Sequence, residues 1–312
     1  MENTTPLEIL KLDGELGQVY QGILEACKEI AEHLRYSTSN KIQTTNDFGD
    51  VQLDQDVQTD SLIFEALKNT GMVYAGLSEE RSYVTQLDDN GKYIVTFDPL
   101  DGSSIIDTNF TIGSIFAIWP KGDLNEMTGR KIVGAALALY GSRTNILIYN
   151  PDTEQVDEAT LQKTGENELQ WVISQKNIRI RTDGRYFSPG NTRSIQYNKG
   201  YRDCIQFWSR NGYILRYSGG MAPDCYHIFK KGEGVFSSVS GEPKVTPKLR
   251  LLYECAPISY LCEKAGGLSS DGTQSVLDIQ VKGYTQKCDI IIGSREEVER
   301  VERFLQNGKS QQ

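Results

Sequence analysis

The stretch Tyr93-Ile94-Val95-Thr96-Phe97-Asp98-Pro99-Leu100-Asp101-Gly102-Ser103-Ser104 carries more chemistry than any other part of this chain. Its first five residues form an apolar run that reads as a buried strand. The strand delivers two carboxylates, Asp98 and Asp101, three residues apart, an arrangement suited to hard cations. Gly102-Ser103-Ser104 then offers backbone N–H groups and hydroxyls to an anion, above all where a helix starts. Cation and phosphate binding are thus adjacent. The competing reading is a strand-terminating turn, because Asp, Pro and Gly are turn formers.

The chain has 312 residues, 38% hydrophobic and 24% charged, enough for a sizeable core in one large domain or two lobes. A net charge of −9 argues against nucleic acid as the main partner. It leaves an anionic substrate open, since bound cations can invert the sign of a cleft. With only two histidines, His33 and His227, a His-based zinc site or a Ser-His-Asp triad lacks parts. Clustered acidic residues favour an oxygen-liganded cation, Mg2+ or Mn2+. The six cysteines show no CxxC spacing and lie among apolar residues, as expected of reduced, buried thiols; a Cys204–Cys225 redox pair is the alternative. No apolar run reaches membrane-spanning length, and the N-terminus lacks a basic region followed by an apolar core. The expectation is a cytoplasmic protein with no membrane partner; an organelle address, such as a plastid one, would leave no trace if removed.

Apolar residues from Leu16 to Leu34 recur with a period near 3.6 and predict a helix. Ser37 to Asp50 reads as a polar loop, and Val51 to Thr70 as a second helix ending before Gly71. A strand ends at Glu79-Glu80. Tyr93–Phe97, Ser114–Trp119, Ile132–Tyr140 and Asn145–Tyr149 read as successive strands of one sheet. The polar segment from Asp152 to Glu168 reads as a hairpin and lobe boundary, with Trp171–Ser174 opening the second lobe. Helices are expected over Tyr201–Asn211 and Leu249–Ala265, the latter stopped by Gly266-Gly267. Asp289–Ser294 reads as a buried strand leading into a last helix, Glu296–Leu305. The result is an α/β fold in two lobes, residues 1–170 and 171–312.

Four further acidic groups accompany Asp98 and Asp101. Asp50 and Asp56 flank the start of the second helix, Glu79-Glu80 ends a strand, and Glu254 lies four residues after Arg250, on the same face of a helix. Each alone would be a solvated charge, but apolar runs end at most of them. Phosphate-ester hydrolysis supplies a use for the set: two or three divalent cations roughly 3.5–4 Å apart can clamp phosphoryl oxygens. Asp98 and Glu79 could bridge such ions, Glu80 with Asp56 could relay a proton from water, and Gly102-Ser103-Ser104 could bind the phosphoryl oxygens.

These motifs resemble the lithium-sensitive sugar-phosphatase superfamily, specifically its fructose-1,6-bisphosphatase and sedoheptulose-1,7-bisphosphatase branch. The resemblance runs through Phe48-Gly49-Asp50 with Asp56, Ser78-Glu79-Glu80, Phe97 to Asp107, Lys248 to Glu254 and Glu263 to Gly267. Ile105 to Thr111 followed by Trp119-Pro120, Phe187-Ser188-Pro189-Gly190-Asn191, and Arg216 to Asp224 resemble the sedoheptulose side. The resemblance implies a layered α-β-α-β-α fold and hydrolysis of the 1-phosphate of a sugar bisphosphate. The substrate expected is sedoheptulose 1,7-bisphosphate, with fructose 1,6-bisphosphate as alternative or shared substrate. A catalytically silent sugar-phosphate sensor is the reading from another class.

Carried over by position, the resemblance implies metal ligation by Asp50, Glu79, Asp98, Asp101, Glu254 and the carbonyl of Leu100, two to three Mg2+ or Mn2+ ions in all. Glu80 and Asp56 match the water-activating pair, with Asp101 beside them in the catalytic group. Gly102, Ser103 and Ser104 match the cradle of the cleaved phosphate. Asn198, Tyr201, Tyr217 and Lys248 match positions holding the far phosphate and sugar, and Arg250 lies near the sugar or the metal carboxylates. Arg216 matches an arginine that crosses from a neighbouring subunit, which implies a homodimer or homotetramer. The chain departs from the family in three places. Ser237-Ser238 stand where the fructose branch has a phosphate-site tyrosine. Residues 37–45 lack the plastid redox cysteines. Pro120 replaces an arginine of the AMP site, of which only Lys92-Tyr93 match, so neither control by AMP nor by redox is expected.

Overall fold

The apolar stripe from Leu16 to Leu34 forms helix α1 (Gly14–Tyr36), which buries Val19, Tyr20, Ile23, Leu24, Cys27 and Ile30 along one face. The computed structural model describes residues 8–37, 41–45, 51–165, 168–241 and 243–309. Two short strands, β1 (Lys41–Thr45) and β2 (Val51–Leu53), pair antiparallel where the sequence reads as a loop and a helix start. Helix α2 (Asp54–Asn69) follows. Strands β3 (Val73–Ser78), β4 (Thr85–Gln86), β5 (Tyr93–Asp101), β6 (Ile112–Pro120), β7 (Gly134–Tyr140), β8 (Thr144–Asn150), β9 (Gln155–Thr164) and β10 (Glu168–Gln175) make an eight-stranded sheet. Its order is β10-β9-β8-β7-β6-β5-β3-β4. A second sheet of five strands contains β11 (Tyr186–Pro189), β12 (Ile214–Leu215), β13 (Val235–Ser238), β14 (Leu268–Ser270) and β15 (Ile290–Gly293). Helices α3 (Lys199–Arg210), α4 (Met221–Lys231), α5 (Ala256–Lys264) and α6 (Arg295–Lys309) complete the chain.

The layers follow from strand alternation, in which successive side chains point to opposite faces. On β6, Phe116 and Ile118 face the core shared with α1 and α2, whereas Ile115, Ala117 and Trp119 face the core shared with α4 and α5. On β15, Ile290 and Ile292 close that central core from the other side. Ile291 points outward to Trp208 of α3 and to Val298 and Val301 of α6. The order is helices, sheet, helices, sheet, helices, the α-β-α-β-α architecture that the motifs imply.

Further segments differ from the sequence reading. The polar stretch after Asp152 is largely strand β9, because Glu158 is buried among partners from elsewhere. It accepts from Lys230 Nζ at 2.6 Å and Ser174 Oγ at 2.6 Å, and from the Tyr226 hydroxyl. Trp171–Ser174 does not open a new sheet: it lies in β10, the edge strand beside β9. The Trp171 indole N–H donates to the Leu24 carbonyl of α1 at 3.0 Å and docks that edge. The helix expected over Leu249–Ala265 starts with a π-turn, Leu251–Cys255, before α5. Helix α4 was not anticipated at all. Cys204 and Cys225 lie in different core clusters, and all six thiols are free. Among the described residues no helix is long and apolar enough to cross a membrane.

A polar chain ties the central strands to the π-turn: the Trp119 indole donates to Thr96 Oγ1 at 3.0 Å, and that hydroxyl donates to the Leu252 carbonyl at 2.9 Å. Thr96→Val leaves a buried donor and a buried acceptor unmatched. It is expected to lower stability by about 1–3 kcal/mol, read from the urea midpoint; a shift of under about 0.5 kcal/mol would contradict the role given to this chain.

Candidate active site

Strand β5 does not stop at Phe97; the quoted turn formers continue it to Asp101. Asp98 faces Ile115 of β6 and Asp101 faces Gly113, so three steps on β5 oppose two on β6, a β-bulge. Ser114 Oγ donates to the Pro99 carbonyl at 2.7 Å, and Leu100 N–H donates to Asp98 Oδ1 at 2.9 Å. The bulge thereby turns two carboxylates into one pocket instead of terminating the strand. Strand β3 runs parallel to β5 and ends at Ser78 opposite Phe97. Glu79 N–H donates to the Phe97 carbonyl at 3.0 Å, which sets Glu79 beside Asp98.

The π-turn brings the third acid. Its extra residue lets Glu254 curl back so that Arg250 N–H donates to Glu254 Oε2 at 2.5 Å. Carboxylate oxygens of Glu79, Asp98 and Glu254 lie within 4.8 Å of one another. Asp101 adjoins them and accepts from Ala222 N–H at 2.6 Å, in the first turn of α4, whose dipole favours an anion there. Gly220, just before α4, packs against this carboxylate: a Cβ there would lie 3.3 Å from Asp101 Oδ2. Gly102, at φ +90°, takes the left-handed turn after Asp101.

These groups are poorly accommodated as anions. Asp98, Asp101 and Glu254 are all buried. Asp98 is held well above the usual carboxylate range, by burial first and by the charges of Asp101, Glu254 and Glu80 next. Burial pushes Asp101 up to about 7, against the Ala222 N–H that lowers it. Burial and Asp101 push Glu254 up to about 8. The guanidinium of Arg250 pairs with Glu79. Arg250, with Lys287 also acting on Glu254, against this set of carboxylates leaves a local excess of negative charge, and the donors are hard oxygens only. That donor set fits a divalent cation of the Mg2+ or Mn2+ type.

The other candidates divide. Glu80 is half-buried beside the cluster, its N–H donating to Ser78 Oγ at 3.1 Å. Asp56 is buried in the first turn of α2. Leu100 is buried within the bulge. Ser103 and Ser104 start a single six-residue 3-10 turn, not an α-helix. Asp50 lies outside the described residues. Tyr217 is half-exposed and donates to the Gly190 carbonyl at 3.1 Å; Lys248 and Arg216 are exposed. Tyr201 is wholly buried in the outer core, its hydroxyl bonded to Ser237 at 3.0 Å. The Asn198 amide caps α3 by accepting from Tyr201 N–H at 3.0 Å and donates to the Ser240 carbonyl at 2.9 Å. Sequence reasoning missed the Ala222 N–H that holds Asp101; Gly219-Gly220 before Met221-Ala222-Pro223 was the available sign of a helix start. It also missed Asp60, buried on α2 and bonded to Arg81 Nε at 2.7 Å.

The model of the fructose-1-6-bisphosphatase N-terminal domain matches residues 4–171, and that of the C-terminal domain matches residues 180–306. The chain belongs to the fructose-1,6-bisphosphatase family. It is 41% identical over 283 residues to the chloroplastic sedoheptulose-1,7-bisphosphatase of Spinacia oleracea, covering 90% of this chain and 72% of that one. It is 36% identical over 287 residues to the class 1 fructose-1,6-bisphosphatase of Geotalea uraniireducens, covering 91% and 88%. The crystal structure of Leishmania major fructose-1,6-bisphosphatase superposes with a TM-score of 0.89 at 25% identity, over 96% of this chain and 99% of that one. The layered architecture is thus that of the family, and its acidic centre falls at the ends of β3 and β5 and in the π-turn.

Carboxylates in an unfolded chain ionise near pH 4, whereas in the cation-free fold Asp101 and Glu254 keep their protons to about 7 and about 8. Their contribution to stability is therefore complete below about pH 4 and lost as the pH rises through 7 to 8. In chelator, the melting temperature is expected to fall between pH 6 and pH 9, and added MgCl2 to recover more of it at pH 9. Scanning calorimetry checks this; a cation-free melting temperature flat across that range would contradict the electrostatics described.

Proposed function

We propose that this chain hydrolyses the 1-phosphate of sedoheptulose 1,7-bisphosphate to sedoheptulose 7-phosphate and inorganic phosphate, with Mg2+ or Mn2+ as cofactor. The single observation that carries the reading is the convergence of Glu79, Asp98 and Glu254 within 4.8 Å. Support for the seven-carbon sugar comes from the greater identity to the spinach enzyme and from the small Ser237-Ser238 pair on β13. Fructose 1,6-bisphosphate is the second reading, favoured by the similarity to the Geotalea enzyme over nine-tenths of the chain.

Glu79, Asp98, Asp101 and Glu254, with Asp50 and the Leu100 carbonyl, are the groups that would hold two or three cations. When bound, such ions supply Lewis-acid polarisation of the phosphoryl group. Glu80 is the proton acceptor for the attacking water, and Asp56 passes the proton on. Gly102, Ser103 and Ser104 receive the phosphoryl oxygens, since the first N–H groups of the 3-10 turn have no acceptor within it. Asp101, fixed on the first turn of α4, keeps the metal pocket in register with the second sheet. Arg216 reaches a neighbouring subunit in a homodimer or homotetramer, and the protein works in the cytoplasm or in an organelle.

Purified protein with Mg2+ is expected to release phosphate from both bisphosphates, with a higher kcat/KM for sedoheptulose 1,7-bisphosphate. Equal or reversed preference would overturn the substrate assignment, and no release from either would overturn the enzyme reading in favour of a sensor. Asp101→Asn is expected to lower kcat by about a hundredfold or more; activity within about threefold of wild type would remove Asp101 from the mechanism.

A further inference from the structure

Helix α2 carries a row of three residues at four-residue spacing, Asp56, Asp60 and Phe64, each about 5.4 Å further along one face. All three are buried. Asp56, in the first turn, is the group that passes on the proton from Glu80. The two later members share one partner, Arg81, the residue after Glu80. Arg81 Nε donates to Asp60 Oδ2 at 2.7 Å, and Arg81 Nη2 lies 2.6 Å from the same oxygen. The guanidinium carbon sits over the Phe64 ring, 4.0 Å from its centroid. Phe64 in turn meets Phe97 of β5 edge to face, with ring centroids 5.1 Å apart. It also fits against Gly76 of β3, where a Cβ would come within 2.6 Å of the ring.

The turn that holds Glu80 is tied mainly to itself. Arg81 N–H donates to the Ser78 carbonyl at 3.3 Å, and Glu80 N–H donates to Ser78 Oγ at 3.1 Å; the Ser78 side chain adjoins Asp60 as well. Glu79 has separate anchors, its N–H on the Phe97 carbonyl at 3.0 Å and its carboxylate on Arg250. The Asp60–Arg81 pair, by contrast, joins the turn to α2. Stability alone does not account for Asp60. Its side chain is 5% exposed, and burial raises its carboxyl above the ordinary range in spite of Ser78 and Arg81. Buried ion pairs can often be replaced by apolar residues at no cost, and what such a pair can supply instead is one fixed register.

We propose that Asp60 is a positioning residue for water activation: by gripping Arg81 it fixes α2 against the Ser78–Arg81 turn and so holds Asp56 opposite Glu80. A catalytic group misplaced by about 1 Å can cost about a hundredfold in rate. The inference rests on the hydrolase reading above and deepens it by naming what aligns its proton relay.

The test uses Asp60→Asn, Arg81→Met, Arg81→Lys and the double variant Asp60→Asn/Arg81→Met in the full chain, with Mg2+ and whichever bisphosphate wild type hydrolyses faster. Circular dichroism first shows that each is folded. Asp60→Asn and Arg81→Met are each expected to lower kcat about tenfold or more, with KM within about twofold. The double variant should lose no more than either single one, because the two residues act as one unit. Arg81→Lys, which keeps the charge without the two-point grip, should recover part of the loss. The solvent deuterium isotope effect on kcat should rise in the impaired variants, as proton transfer from water slows. Calorimetric Mg2+ affinity should stay within about twofold of wild type, since Glu79 keeps its own anchors. Values of kcat within about threefold of wild type, losses that multiply in the double variant, or an unmoved isotope effect would overturn the role. So would Mg2+ affinity falling in step with kcat, the mark of a general loosening of the acidic centre. Should Asp60→Asn fail to fold, Arg81→Met decides, its change falling on a side chain that is 25% exposed. No phosphate release by wild type from either bisphosphate would overturn the hydrolase reading and this role with it; release that the variants leave unchanged would overturn the role alone.

Discussion

Mutual repulsion among buried carboxylates is the constraint on which this structure turns. Two unit charges 4.8 Å apart repel by about 3–4 kcal/mol at an effective dielectric of about 20. Here Glu79, Asp98 and Glu254 meet at that range with Asp101 adjoining. Arg250 answers the nearest of them, and protons answer others where no cation is bound. A fold left to minimise its own energy would not gather these groups. The backbone holds them together by a bulge in β5, a π-turn before α5 and the first turn of α4, each fixed by main-chain or short side-chain hydrogen bonds. Bulges and π-turns are concentrated at functional sites because they re-aim side chains that a regular element would point elsewhere.

The rest of the molecule supplies the stiffness this requires. β3 and β5 are a parallel pair in a sheet whose other pairings are antiparallel. Their carboxyl ends therefore arrive side by side and deliver Glu79-Glu80 and Asp98. The central helical layer packs on both sheets, so Asp101 on the first and Ala222 on α4 are positioned against each other by the same apolar core that contains Trp119, Phe229 and Ile292. The chain from Trp119 through Thr96 to Leu252 extends that support to the π-turn.

Much of this was legible in the sequence where apolar periodicity and acidic punctuation coincide. Tyr93–Phe97, Glu79-Glu80 and Arg250 with Glu254 announce themselves because an apolar run ends on a charge. What could not be read depends on long-range partners. Strand β9 looks like a loop until Lys230, Tyr226 and Ser174 surround Glu158. Trp171 looks like the start of a lobe until its indole reaches α1. The partners of Tyr201 and Asn198 are likewise long-range: the Tyr201 hydroxyl bonds Ser237, and the Asn198 side chain donates to the Ser240 carbonyl.

Proton release on cation binding tests the central claim most directly. Calorimetric titration of Mg2+ into the chelator-treated protein, in two buffers of different ionisation enthalpy, gives the number of protons expelled. If raised carboxylates are the cation site, binding at pH 7 expels protons, and the number is smaller at pH 9, where Asp101 and Glu254 have already ionised. Binding with no proton release at pH 7, or full phosphatase activity in excess chelator, would contradict the account.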